Sequence, residues 1–184
     1  LDTDHQQVIE LTKQWLQDMV VGLNLCPFSH TVVAQSQVRY AVATGTTDAQ
    51  WKAFYVTELE TLLNADETDI ATSLLMFPKG LHAFDDYLDL LDWLQELLEQ
   101  SDLSDHVQLA SFHPRYQFDQ VAEGDLSHFT NRAPYPTIHL LRQAQMSQAL
   151  AHVQNPEQIF VDNIATLERL GRDHVEALCP WGKP

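Results

Sequence analysis

Basic residues are scarce in this chain. Ten Lys and Arg stand against 26 Asp and Glu, a net charge of −16 over 184 residues. A surface of that sign repels phosphate backbones, which disfavours nucleic acid as a partner. Cysteine is scarcer still: Cys26 and Cys179 are the two. Two thiols so far apart make no disulfide framework, and a reducing, cytoplasmic setting is the reading that follows. Both stand in Leu-Cys-Pro-aromatic tetrapeptides, LCPF and LCPW, but their flanks differ, so they are not taken as a repeat. No apolar run is long enough to span a bilayer, so no membrane association is expected, and no secretory signal is visible. The six glycines form no phosphate-cradling loop or dinucleotide fingerprint, and there is no G-x-S-x-G, CxxC, HxH or HExxH pattern.

What is present reads as a globular domain. Hydrophobic residues make up 45% of the chain, enough for a substantial core. We expect one α/β domain over residues 1–172 and a C-terminal tail over 173–184. Val8, Leu11, Trp15, Leu16 and Met19 recur at helical spacing and predict a helix over 4–21, stopped by Gly22 and Asn24. Residues 31–43 (TVVAQSQVRYAVA) carry β-branched character and predict a strand bent or broken near Gln35. Trp51, Phe54, Tyr55, Leu59 and Leu62 mark a helix from Thr47 or Asp48 to about residue 64. The run 69–77 (DIATSLLMF) is short, apolar and closed by Pro78, which fits a buried strand. Phe84, Tyr87, Leu88, Leu91, Leu94 and Leu98 line one face of a helix over 83–100. Its Asp and Glu residues mostly fall on the opposite face and read as a solvated surface.

VQLASF (107–112) predicts a third core strand, stopped by His113-Pro114. The alternation of helix and strand points to right-handed crossovers and a mixed, mostly parallel sheet of about four strands packed with helices. Residues 114–135 form a long irregular segment, with a turn of helix near 125–130. A loop of that length is usually functional or mobile. PTIHLLR (136–142) is either a fourth strand or the opening of a helix. We take the strand, which sets His139 and Arg142 on opposite faces. A helix over 144–153 and a last one from Asn155-Pro156 to about Leu170 follow.

The stretch 107–142 departs from the rest in charge. Residues 1–105 carry 4 basic and 18 acidic side chains, residues 106–145 carry 3 and 3 with four His, and residues 146–184 carry 3 and 5. An anion is best tolerated in the middle segment. Arg115, Arg132 and Arg142 would clamp a carboxylate or phosphate through paired N–H donors. His113 or His139 would act as general acid or base, Asn131 would orient a substrate, and Cys26 would be a nucleophile if it reached a histidine. Against this stand ordinary alternatives: arginines paired with the acidic helices, core histidines, and a small buried thiol.

The stretches GLNLCPF (22–28), QVR (37–39), ASFHPRYQF (110–118), TNRAPYPTIHLLR (130–142) and NIATLERLG (163–171) together resemble the bacterial and plant family catalogued as domain of unknown function 1415. The resemblance spans roughly residues 5–171. It implies a compact domain with no established reaction. Asn24, Cys26, Pro27, His113, Pro114, Tyr116, Asn131, Arg132, Pro134, Tyr135, Pro136, His139 and Arg142 are its distinctive residues. Asn24 and Tyr116 join the candidate ligand-binding set on that ground. The chain has Gln143 where the resemblance leads us to expect Glu.

Three readings follow. The favoured one is a site for a small anionic molecule, with His113, His139 and Cys26 as candidate catalytic groups and the occurrence of a reaction left open. The second is a metal-dependent enzyme using Cys26, His113 and His139, with His128 or Asp125 in reserve. The third is a non-enzymatic partner-binding or structural domain in which NRAPYP shapes a docking surface or a rigid loop. Cofactor and oligomeric state are unknown from the sequence.

Overall fold

The computed structural model describes residues 3–151 and 155–182. Among them, one four-stranded sheet is packed with seven α-helices. The order is α1 (Thr3–Trp15), a π-helical turn (Leu16–Val21), α2 (Ser29–Ala34), β1 (Val38–Val42), α3 (Asp48–Asn64), β2 (Thr72–Met76) and α4 (Phe84–Gln100). Then come β3 (Val107–Phe112), a 3-10 turn (Leu126–Thr130), β4 (Thr137–Arg142), α5 (Gln143–Leu150), α6 (Glu157–Leu170), α7 (Arg172–Leu178) and a short turn (Pro180–Gly182).

The sheet order is β1-β2-β4-β3. β1 and β2 are parallel, whereas β4 runs antiparallel to both β2 and β3. The sheet is therefore mixed with one parallel pair, not mostly parallel as expected. The reason lies in a single insertion. The helix-connected strands β1, β2 and β3 do share one direction, as the alternation of helix and strand implied. β4 returns from the long 113–136 connection and enters between β2 and β3, turning two of the three pairings antiparallel. The carboxyl ends of β1, β2 and β3 and the start of β4 thus meet at one edge.

The sheet is covered on both faces. Leu75, Phe77, Ile138 and Leu140 pack under α3 and α4 against Tyr55, Leu59, Leu62, Tyr87, Leu90, Leu94 and Leu98. Leu74 and Met76 face the other way, against Trp15, Leu16, Met19, Val20, Phe129, Leu167 and Val175. Every residue of β2 is buried, which accounts for an apolar run without alternation. Glu58 is buried in α3 and forks onto Arg39, with Arg39 Nε donating at 2.6 Å and Nη2 at 3.0 Å.

Three expectations change. Residues 29–34 are helical rather than the start of a strand: the Ser29 hydroxyl and amide both donate to the Cys26 carbonyl, which turns the chain after Pro27. Burial of Val32 on one face then outweighs β-branched propensity. The first helix changes to π geometry at Leu16, with Gly22 N–H reaching back five residues to Gln17. The widened turn keeps Trp15, Leu16, Met19 and Val20 all buried. The segment from 173, read as a tail, forms most of α7, and Val175 and Cys179 are fully buried. Of the helix expected over 144–153, α5 supplies Gln143–Leu150; residues 152–154 lie outside the described residues, as do 1–2 and 183–184 at the ends of the expected domain and tail.

Arg142 closes the far edge of the sheet. Its Nη2 donates to the carbonyls of Leu62 at 2.7 Å, Ala65 at 2.9 Å and Ile70 at 3.1 Å, and its Nε donates to Ile70 at 3.2 Å. Those carbonyls belong to the last turn of α3 and the approach to β2. A guanidinium there satisfies groups a helix end leaves open and complements its dipole. Arg142→Met keeps the aliphatic stem and removes the donors. Urea unfolding is expected to show a loss of about 2–3 kcal/mol with an unchanged slope. A loss below about 0.5 kcal/mol would mean the cap is dispensable.

Candidate functional site

The connection from β3 to β4 has little regular structure, yet much of it is buried. Side chains supply its hydrogen bonds. His113 is 1% exposed. Its Nδ1 accepts from Arg115 N–H at 3.0 Å, and its Nε2 donates to the Leu81 carbonyl at 2.9 Å. The ring lies between Phe84 and Tyr87, each 5.2 Å away between centroids. Desolvation pulls its pKa below the ordinary histidine value, and the Leu81 hydrogen bond offsets this only in part. His128 repeats the pattern: Nδ1 accepts from Phe118 N–H at 3.1 Å and Nε2 donates to Ala122 at 2.8 Å. Asp125 caps the 3-10 turn by accepting from Ser127 N–H.

Asn131 ties the loop to β3. Its Nδ2 donates to Ser111 O at 3.0 Å, its Oδ1 accepts from Thr130, and its carbonyl accepts from His113 N–H. The Tyr116 hydroxyl lies 3.3 Å from Ser111 Oγ, and its ring packs on Phe84 and Phe118. Asn24 is exposed and takes a left-handed conformation (φ 54°) in the turn after the π-helix.

Arg132 is 7% exposed and lies over the Phe129 ring, 4.4 Å from its centroid. Its Nε donates to the Tyr116 carbonyl at 3.2 Å and its Nη1 to Gly182. A side chain at Gly182 would meet Arg132 Cδ at 2.8 Å, so the close approach of the C-terminal turn requires glycine. Among the described residues Arg132 joins no ion pair. Desolvation lowers its pKa, while Glu176 and Glu123 act electrostatically the other way. Arg132 and Arg115 line one open groove of about 490 Å³, together with Ala83 and Phe84 at the start of α4, Gln117, and the carboxylates of Asp85 and Glu123.

His139 and Cys26 meet elsewhere. Both line an enclosed chamber of about 50 Å³ between the sheet and the π-turn, with Trp15, Leu74 and Phe112 among its walls. Thr72 sits diagonally across from His139 on the paired strand. The Thr72 hydroxyl lies 2.6 Å from the Leu140 carbonyl and 2.6 Å from His139 Nε2. A carbonyl only accepts, so Thr72 donates to Leu140 and His139 Nε2–H donates to Thr72. Among the described residues Nδ1 is left as an acceptor with no partner. The side chain's residual exposure opens onto the chamber, and burial pushes its pKa down to about 4. Cys26 is a free thiol whose pKa burial raises, against the pull of Phe28 and Ser29 N–H, which keeps it from ready thiolate chemistry.

The sequence-predicted residues thus fall into separate places. Arg115 and Arg132 share the groove, Cys26 and His139 share the chamber, and Cys26 and Asn131 share an outer cleft. His113, Tyr116 and Arg142 are engaged within the fold. Gln143 sits at the Arg142 edge, its amide donating to Ser104 O. Cys26, His113 and His139 do not gather: among the described residues no three His, Cys, Asp or Glu side chains are grouped to hold a metal. Thr72, Trp15 and Phe112 at the chamber and Gln117 at the groove carry no motif that marks them as site residues in the sequence. Thr72 did leave a signal, the first of two hydroxyls, with Ser73, that open a strand otherwise apolar.

His139 makes stability depend on pH. Its folded pKa is depressed from 6.5 to about 4. Above about pH 6.5 both states are neutral and the contribution is complete. As pH falls the unfolded chain protonates first, and stability drains away until about pH 4. His139→Gln keeps a donor near the Nε2 position and cannot titrate. Between pH 7 and 4.5, urea unfolding of the wild type is expected to lose roughly 2–3 kcal/mol more than the variant. Parallel curves would show that His139 titrates normally.

Among the described residues no helix is long and apolar enough to cross a membrane. No curated protein and no solved structure matches the chain. A family model does, over residues 7–177, and on that match the chain belongs to the family described as Protein of unknown function (DUF1415).

Proposed function

We propose that this protein binds a small anionic molecule, a carboxylate or a phosphate, in the groove between the start of α4, the 114–117 turn and Arg132. One observation carries the reading: Arg132 is a buried guanidinium that joins no ion pair among the described residues and borders open space. Burying a cation is costly; Glu176 and Glu123 offset this only through space, and an anionic ligand offsets it by direct contact. Arg115 is exposed at the same groove, anchored by a hydrogen bond to the His82 carbonyl. The first turn of α4, a helix of 17 residues, adds the positive end of its dipole. Asp85 and Glu123 border the groove too, which disfavours highly charged anions. The ligand that fits carries one acidic group, with hydroxyl or amino groups to meet the carboxylates. We assign binding and no reaction: no histidine lines the groove among the described residues, and His113, next to Pro114 in its wall, has both nitrogens engaged.

Thermal unfolding with added phosphate or lactate tests this. At a hundredfold excess over Kd a ligand stabilises by about 2.7 kcal/mol, which raises Tm by about 5–10 °C in a chain of this size. The rise is expected in the wild type relative to chloride at matched ionic strength. It is expected to vanish in Arg115→Ala, whose side chain is exposed and whose loss leaves the fold intact. An equal rise in chloride, or an undiminished response in Arg115→Ala, would sink the reading.

A further inference from the structure

Two adjoining apolar spaces lie apart from the arginine groove. The outer one is a cleft of about 320 Å³ between the Cys26 turn and helices α5 and α6. The inner one is the chamber beside His139. Val20, Cys26 and Phe112 belong to the walls of both, so these three side chains form the partition between them. Among the described residues no Asp, Glu, Lys or Arg lines either space, although charged residues make up 20% of the chain. A charged ligand would lose its hydration there and find no opposite charge.

The hydrogen-bonding groups left over narrow the chemistry further. In the chamber the Thr72 and Ser29 hydroxyls donate to carbonyls, and the ring of His139, whose Nδ1 has no partner among the described residues, forms part of the wall. In the cleft, Asn163 Nδ2 donates to the Leu25 carbonyl at 2.7 Å, which leaves Asn163 Oδ1 as an acceptor and the second Nδ2–H as a donor. A ligand hydroxyl, which both donates and accepts, serves both kinds of group. At the outer lip, Leu150, Ile159 and Phe160 supply apolar surface, and Phe160 is 45% exposed.

We propose that cleft and chamber together form a binding site for an uncharged, mainly apolar small molecule bearing a hydroxyl or N–H donor. Its apolar body lies against Leu150, Ile159 and Phe160, and its donor end points past Cys26 toward the chamber. A cleft of this volume falls at the small end of ligand sites. The site is separate from the anion groove and takes the opposite class of ligand, so either can fail without the other.

The test uses the full chain with 1-hexanol and hexanoate, which share a chain and differ in charge at pH 7.5. Methyl methanethiosulfonate labels thiols, and peptide mapping by mass spectrometry reads Cys26 and Cys179 separately. Hexanol is expected to slow labelling of Cys26 severalfold and to leave Cys179 unchanged, while hexanoate protects neither. Ile159→Glu sets a carboxylate in the lip and is expected to abolish the protection, with an unchanged circular dichroism spectrum and an intact response to phosphate. The proposal is overturned if hexanol fails to protect Cys26, if hexanoate protects equally, or if Ile159→Glu stays protected. Should Cys26 label too slowly to follow, Tm decides: hexanol must stabilise the wild type more than hexanoate does and more than it stabilises Ile159→Glu, and equality overturns the proposal.

Discussion

The constraint behind most of this structure is that a long irregular connection has to be buried. A backbone outside helix and sheet still carries one donor and one acceptor per residue, and leaving them unpaired inside a protein is costly. Between β3 and β4 side chains do the pairing. His113 and His128 each accept one backbone N–H and donate to one backbone carbonyl. Asn131 and Arg132 bind the carbonyls of Ser111, Tyr116 and Gly182. Arg142 does the same at the end of α3. With the connection fixed, β4 can enter the middle of the sheet, and both cores then close on it.

That arrangement explains how much could be read from the sequence. The helices over 48–64 and 84–100 and the strands around 72–76, 107–112 and 137–142 were legible because periodicity and apolar runs report local burial. The direction of β4 was not, since nothing local to PTIHLLR says which strands flank it. The turn of helix at 29–34 was hidden because Val32 and Val33 favour strands, and tertiary burial decided otherwise. For the candidate site, the residues singled out are real centres of interaction, but residue type alone could not separate a histidine that wires a loop from one that meets a ligand. The arginines show the same limit. Pairing with the acidic helices was the ordinary alternative for Arg132 and Arg142, and both bind backbone carbonyls instead. Distance along the chain carries no information about which carbonyls those are.

Charge is sorted in space as well as in sequence. Arg115 and Arg132 open on a groove that also holds Asp85 and Glu123, so its potential is local and mixed. Among the described residues the cleft and chamber hold no formal charge in their walls. His139 preserves this, because a pKa near 4 keeps it neutral at physiological pH. The same low-dielectric surroundings that deny His139 a proton also raise the Cys26 thiol. Both groups therefore present neutral, weakly polar surfaces, suited to recognising a ligand rather than attacking one.

The chamber itself runs against close packing. Unfilled space among apolar side chains forfeits dispersion contacts, and about 50 Å³ corresponds to roughly 1 kcal/mol at about 24 cal/mol per Å³. Its walls include Leu16 and Val20 from the π-turn, a geometry less favourable than a regular helix and frequent where a helix borders a functional site. An extra methylene on Val32 or Val33 would occupy part of the void at little chemical change. The chain instead keeps small β-branched residues there, beside a histidine with an unused acceptor. A void lined by interchangeable apolar residues is an ordinary packing defect; one that places a lone hydrogen-bond acceptor at its wall and adjoins an uncharged cleft is ordered like the inner end of a binding site.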